Sequence, residues 1–224
     1  MISSKVQLDL LDVTVLMRIM RHLQTGDIES LSCTNKRLRD VSVPILFRAV
    51  RFEFSTSSLK ALKSLSNSNI RHHVRSLTYA APGILRTDIL DFDCFTSELL
   101  TPSDYREWID ESQNFLSDEC PSYMLIYDVL QDICEEQQEI MSESLDKIAL
   151  LYAFTRLPRL RKLAVCFCPT VEEEEWVGSV LARGLTTEDS CEYHSRVIHD
   201  AIETSRQSSS TERNLRVFLT VQPP

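Results

Sequence analysis

One short pattern returns four times along this chain, and it limits the fold more than any other feature. Phe47-Arg48-Ala49-Val50-Arg51-Phe52, Val74-Arg75-Ser76-Leu77-Thr78-Tyr79, Leu160-Arg161-Lys162-Leu163-Ala164-Val165 and Leu215-Arg216-Val217-Phe218-Leu219-Thr220 share an apolar-Arg-x-apolar core. In an extended chain, period two sends the fourth and sixth residues of each set inward, while the first turns in from the preceding loop. The second position, Arg in every set, then faces solvent beside the sheet.

Spacing adds topology. Val50 to Leu77 is 27 residues, the interval from Leu163 to Phe218 is about twice that, and Leu77 to Leu163 is about three times. Predicted helices at 57–66, 143–155 and 193–205 precede three of the strands. A helix feeding each strand on the same side is what a solenoid or a parallel βαβ sheet requires. The first three sets fit LxxLxL and resemble the strand of a leucine-rich repeat; the fourth, ending in Thr220, fits loosely. An irregular α/β domain whose strands share Arg is the alternative. The expected class is therefore α+β or α/β. A three-helix module at 8–46 precedes a degenerate leucine-rich-repeat-like α/β domain at 47–224, which carries a mostly helical acidic insertion at about 86–146.

The module is read from LDLLDVTVLMRIMRHLQTGDIESLSCTNKRLRD. Leu11, Val15, Leu16, Ile19, Met20 and Leu23 recur at spacings of three and four, on one helical face. Thr25-Gly26-Asp27 turns the chain, and Asp27 is placed to cap a second helix carrying Ile28, Leu31 and Cys33. A third segment, 35–43, sets Leu38 and Val41 among Lys36, Arg37 and Arg39. Three helices of this size have too much apolar surface for their length, so some of it is expected to face a partner.

That stretch resembles an F-box, whose pattern runs roughly Leu-Pro-x-Glu-[Ile/Leu]-Leu, then an apolar pair, an acidic-Leu step and a basic third helix. Leu11, Val15, Leu16, Ile19, Leu23, Asp27, Ile28, Leu31, Lys36, Arg37 and Leu38 fall on matching positions. Asp12 stands where the family has Pro, Thr14 where it has Glu, and Met20 where Phe is common. With PILFRAVRF, IRHHVRSLTY and LPRLRKLAV behind it, the chain looks like the filamentous-fungal F-box proteins, in which short irregular leucine-rich units follow the F-box directly. The resemblance implies a substrate-recognition subunit of an SCF-type (cullin-RING) ubiquitin ligase. Such a subunit binds a Skp1-type adaptor, and through it a cullin, by its F-box, and binds a protein target by the domain behind. The implied adaptor-binding residues are Leu11, Val15, Leu16, Ile19, Leu23, Ile28 and Leu31. The rival is a non-catalytic leucine-rich-repeat-like scaffold whose N-terminal helices only cap the solenoid.

Composition removes other classes. The longest apolar run, Ile148 to Phe154, is far too short to span a membrane, and the N-terminus has no apolar signal region. Seven scattered cysteines in a chain without a visible signal read as reduced thiols, giving a cytoplasmic or nuclear expectation. The net charge of −9 is uneven: residues 1–87 carry thirteen Lys/Arg against six Asp/Glu, and residues 88–146 carry seventeen acids and one base, Arg106. No nucleic-acid motif accompanies the basic third, so mutual attraction of the two segments within one fold is expected instead.

Within the acidic stretch, Thr101-Pro102-Ser103-Asp104 is a helix start, and Tyr105, Trp108, Ile109, Phe115 and Leu116 make an apolar stripe. A longer helix follows Pro121, carrying Leu125 to Ile140 inward and Asp128, Asp132 and Glu136 on a solvated face. The acids Glu172 to Glu175 suit the N-terminal dipole of the next helix. No phosphate-cradling glycine loop and no GxSxG occur. Cys166-x-Cys168, at a strand end, is read as one or two buried small hydrophobes and a poor zinc pair. Cys191, His194 and His199 come nearest to a metal cluster but do not share a helical face. The expectation is no catalytic, cofactor or metal site, and no nucleic-acid or membrane partner.

Overall fold

The computed structural model describes residues 8–111, 121–171, 175–208 and 215–221. It is a mixed α/β fold in which four parallel strands lie in sequence order: β1 (Ala49–Glu53), β2 (Ser76–Pro82), β3 (Lys162–Cys168) and β4 (Arg216–Val221). Each lies within three residues of a set in the recurring pattern.

Three helices are set at the chain's start. Helix α1 (Val13–Met20) begins at Asp12, whose carboxylate accepts the Thr14 amide at 2.7 Å. The acid standing in place of proline thus supplies a cap. Helix α2 (Thr25–Thr34) starts earlier than expected, so Asp27 lies in its first turn, where its charge meets the helix dipole, and does not cap it. Helix α3 (Lys36–Leu46) is capped by Asn35, which accepts the Leu38 amide at 2.9 Å.

Between the strands run the crossover helices α4 (Thr56–Asn67), α8 (Leu145–Arg156) and α10 (Ser190–Ser208). They pack over one face of the sheet. Leu59 and Leu62, Leu150 and Phe154, and Val197 and Ile198 meet the strand residues Phe52, Leu77, Tyr79, Leu163, Val165 and Phe167. Alternation accounts for the choice, since each of these strand residues is two from the next on its strand. Burying each such side chain is worth about 1.5–3 kcal/mol. Phe52 and Tyr79, paired across β1 and β2, stack with centroids 4.8 Å apart.

The fourth set is displaced by one residue from its expected register. Val217 and not Phe218 pairs with Leu163, and Leu219 pairs with Val165. Phe218 falls on the opposite face beside Ala164. The reason is physical: Val217, Phe218 and Leu219 are apolar on both faces of an edge strand, so parity carries no signal there.

The long β2–β3 connection builds a second core. It contains the single turn α5 (Phe92–Cys94), then α6 (Pro102–Glu111) and α7 (Tyr123–Ser142), and it packs with α9 (Glu175–Leu181). Phe95, Trp108, Ile126, Leu130, Trp176 and Val180 are buried together. The start of α6 is a reciprocal capping box, in which Asp104 accepts the Thr101 amide at 3.1 Å and Thr101 accepts the Asp104 amide at 3.2 Å. Of the expected stripe, Trp108 is buried and Tyr105 and Ile109 pack beside it; Phe115 and Leu116 lie outside the described residues.

The acidic row of α7 is not wholly solvated. Glu136 is half-buried and accepts the Thr56 amide at 2.9 Å and the Thr56 hydroxyl at 2.7 Å, satisfying the N-terminus of α4. The expected attraction between basic and acidic segments is limited to one of the ion pairs, Arg86–Asp88, at the boundary between them. Among the described residues the ion pairs are Arg51–Glu53, Arg86–Asp88, Lys147–Asp200 and His199–Glu203. No helix among the described residues is long and apolar enough to cross a membrane.

Candidate functional site

The N-terminal helices form a small core of their own. Leu16, Met20, Ile28, Leu38 and Val41 are buried in it, with Leu11, Leu23 and Leu31 packed partly buried around them. Helix α1 therefore carries two apolar rows. Leu16 and Met20, one turn apart, point into the hairpin. Val15 and Ile19, also one turn apart, form a second row: Val15 is 45% exposed and Ile19 half-buried. Leu10, 70% exposed, adds apolar surface before the helix, whereas Val13, 45% exposed, lies on the other side of the Leu16–Met20 row, since residues two apart on a helix point away from each other. Arg37 crosses from α3 and donates to the Leu11 carbonyl at 2.7 Å, holding the approach to α1.

This apportions the seven residues read from the sequence. Leu16 and Ile28 are internal and cannot touch a partner without unfolding the hairpin. Leu11, Leu23 and Leu31 share their surface between core and solvent. Val15 and Ile19 are the two whose apolar surface is not drawn into that core. Val13 and Leu10 were missed in the sequence, because a helical wheel counts apolar residues without saying which will be covered.

A second exposed surface is the sheet face opposite the crossover helices. Arg51, Glu53, Thr78, Ala164, Cys166, Phe218 and Thr220 are exposed or half-buried there. Arg51 pairs with Glu53 at 3.3 Å, and the Lys162 ammonium lies 4.8 Å from the Phe218 ring centroid. Cys166 and Cys168 lie on this face, half-buried, while Phe167 between them faces the core. The reading of this pair as buried took the wrong parity. Burial pushes the Cys168 thiol up to about 11, so it stays protonated at neutral pH and is a poor nucleophile.

Two of the most deeply placed titratable side chains, His194 and Asp146, are engaged in packing. His194 is fully buried, with Nε2 2.9 Å from the Pro82 carbonyl and Nδ1 3.0 Å from the Tyr79 hydroxyl. A carbonyl only accepts, so Nε2 carries the proton and Nδ1 accepts from Tyr79. Desolvation holds this imidazole down at about 4. Cys191 is exposed, and His199 pairs with Glu203 at 3.6 Å, so the three residues do not converge. Among the described residues no group of three His, Cys, Asp or Glu is placed to hold a metal. Asp146, almost fully buried, accepts the Tyr193 hydroxyl at 3.0 Å, and burial raises its pKa above the usual carboxylate value.

A concavity of about 950 Å³ lies past the ends of β2 and β3 and is lined in part by Pro82, Phe167, Pro169, Leu181 and Thr186. Its walls are mainly apolar, with Thr187, Glu188, Ser190 and Cys191 among the polar residues that line it. The chain matches no family model, no curated protein and no solved structure.

Proposed function

We propose that the chain is the target-recognition subunit of a cullin-RING ubiquitin ligase. Residues 8–46 act as an F-box that docks on a Skp1-type adaptor, and the sheet behind presents a leucine-rich-repeat-like face to a protein target. The observation that carries this reading is the second apolar row of α1. The hairpin seals Leu16, Met20 and Ile28 within itself, yet leaves Val15 open beside a half-buried Ile19. A self-sufficient capping hairpin has no need of such a row, whereas a docking helix does. Parallel strands in sequence order, with crossover helices on one side and an open face on the other, support the repeat-like half of the reading.

An interface of roughly 1,600 Å² would draw most of its energy from a few central apolar anchors. Val15 and Ile19 are those anchors. Co-expression of the full chain with a Skp1-type adaptor tests the idea. Wild type co-purifies with the adaptor, and Val15→Asp abolishes co-purification while leaving the melting temperature unchanged. Loss of co-purification only in variants that also unfold, such as Leu16→Asp, would overturn it.

One observation favours the scaffold reading. Met17, Pro44 and Ile45 line a common concavity with His73 and Arg75, so the helices lie against the start of the sheet as a cap would. Absence of any adaptor binding, with the hairpin needed only for stability, is the outcome that selects it.

A further inference from the structure

The N-terminal edge of the sheet gathers positive charge. Arg48, Arg75 and Arg161 each occupy the residue just before a strand, and backbone bonds hold them side by side. The Arg75 amide donates to the Arg48 carbonyl at 2.9 Å, the Arg161 amide to the Arg75 carbonyl at 2.9 Å, and the Arg216 amide to the Arg161 carbonyl at 3.0 Å. Neighbouring strands lie about 4.8 Å apart, so four arginines cross a span of roughly 15 Å. All four are exposed, and no ion pair among the described residues engages any of them.

Two adjoining concavities open along this row. One, about 670 Å³, is lined by Arg159, Arg161, Lys162 and Arg216 against Pro158 and Phe218. The other, about 300 Å³, is lined by Arg21, Arg48, His73 and Arg75, with Arg159 shared between the two. Like charges on adjacent strands repel and destabilise a sheet. Composition does not force this crowding, because the chain has a net charge of −9 and enough acids to neutralise the row. Among the described residues acids stand elsewhere, as Asp128, Asp132 and Glu135 do on the exposed side of α7.

We infer that this basic trough binds a compact oligophosphate, a small anion carrying two or more neighbouring phosphate groups. Six of the seven Lys/Arg cations are arginines, whose planar forks grip phosphate oxygens in pairs. The concave shape and a volume of about 670 Å³ suit a small ligand. A duplex nucleic acid needs a longer basic track, and the acidic remainder of the surface repels it. This site is independent of the ligase reading.

Calorimetric titration of the full chain with inorganic tripolyphosphate tests the site, with orthophosphate, a glutamate-rich peptide and duplex DNA as comparisons. Tripolyphosphate binds one to one, about tenfold or more tighter than each of the others, and more weakly as salt rises. Arg75→Gln and Arg161→Gln each weaken it about tenfold. Arg106→Gln, at an exposed arginine on α6, changes affinity less than about twofold. Val15→Asp leaves the affinity unchanged, which separates this site from the adaptor surface. If either trough variant misfolds by circular dichroism, Arg159→Gln reports on the same trough. No binding of tripolyphosphate by the folded chain, equal weakening by Arg106→Gln, or equal affinity for the peptide or DNA would overturn the inference.

Discussion

The Tyr79 hydroxyl lies 3.0 Å from Nδ1 of His194, joining the middle of the sheet to the last crossover helix. Phe54 packs edge-on to the same imidazole at 4.9 Å, and Tyr193 flanks it at 5.4 Å, so the ring is surrounded by aromatic surface. A cation has no place there.

Acid should therefore unfold this protein partly through His194. The imidazole titrates near 6.5 unfolded and at about 4 folded. The folded state binds fewer protons between those values, so the stability that His194 contributes is complete above about 6.5 and is lost as pH falls toward about 4. The whole effect is about 3 kcal/mol. Asp146, whose pKa is raised, acts in the opposite sense, its contribution falling as pH rises through its folded value. Urea unfolding from pH 7 to pH 5 should show the loss, and His194→Gln should flatten that slope.

Replacing Gln137 should be costly despite its distance from any proposed surface. Its side chain accepts the Leu85 amide at 2.7 Å and donates to the Gly83 carbonyl at 3.0 Å, fastening the segment after β2 to α7. Gln137→Leu leaves both backbone groups buried and unpaired, at about 1–3 kcal/mol each. Chemical denaturation reads the loss, and faster hydrogen exchange at Leu85 places it.

Gly83 is held by space and not by backbone conformation. A Cβ there would meet Thr186 Cγ2 at 2.6 Å and the Pro169 carbonyl at 3.3 Å. Gly83→Ala should destabilise by about 1–3 kcal/mol. Adding Thr186→Ser removes the nearer atom, so the double variant should recover part of that loss in thermal melts.

Two neighbouring residues on α1 should respond in opposite ways. Leu16→Ala empties the small core and should cost about 2–5 kcal/mol of hairpin stability. Val15→Ala removes a side chain that is 45% exposed and should shift stability by less than about 0.5 kcal/mol. Hydrogen exchange of the α1 amides distinguishes the two.

The strands and their order were legible because Leu77, Tyr79, Leu163 and Val165 alternate with polar or small residues, and because a helix fits in every gap. Legibility failed where alternation failed. At β4 three consecutive apolar residues left the register open by one position, and at Cys166 and Cys168 the parity of Phe167 was needed. The helical hairpin was readable from spacing alone, but spacing could not divide Leu16 from Val15, since both belong to one broad apolar arc. Contacts such as Glu136 with Thr56 or Gln137 with Gly83 join residues more than fifty positions apart and leave no local trace. The arginine row was visible as a repeated letter, but its crowding into one trough required the parallel register.

The small core under Leu16, Met20 and Ile28 draws on no strand residue among those described. Heat therefore meets a separate reserve of cohesion at the amino end, smaller than those of the sheet and of the β2–β3 connection, and it yields first. Whatever ligand clasps α1 will consequently announce itself as thermal protection of the first forty-odd residues alone, leaving the melting of the sheet where it was.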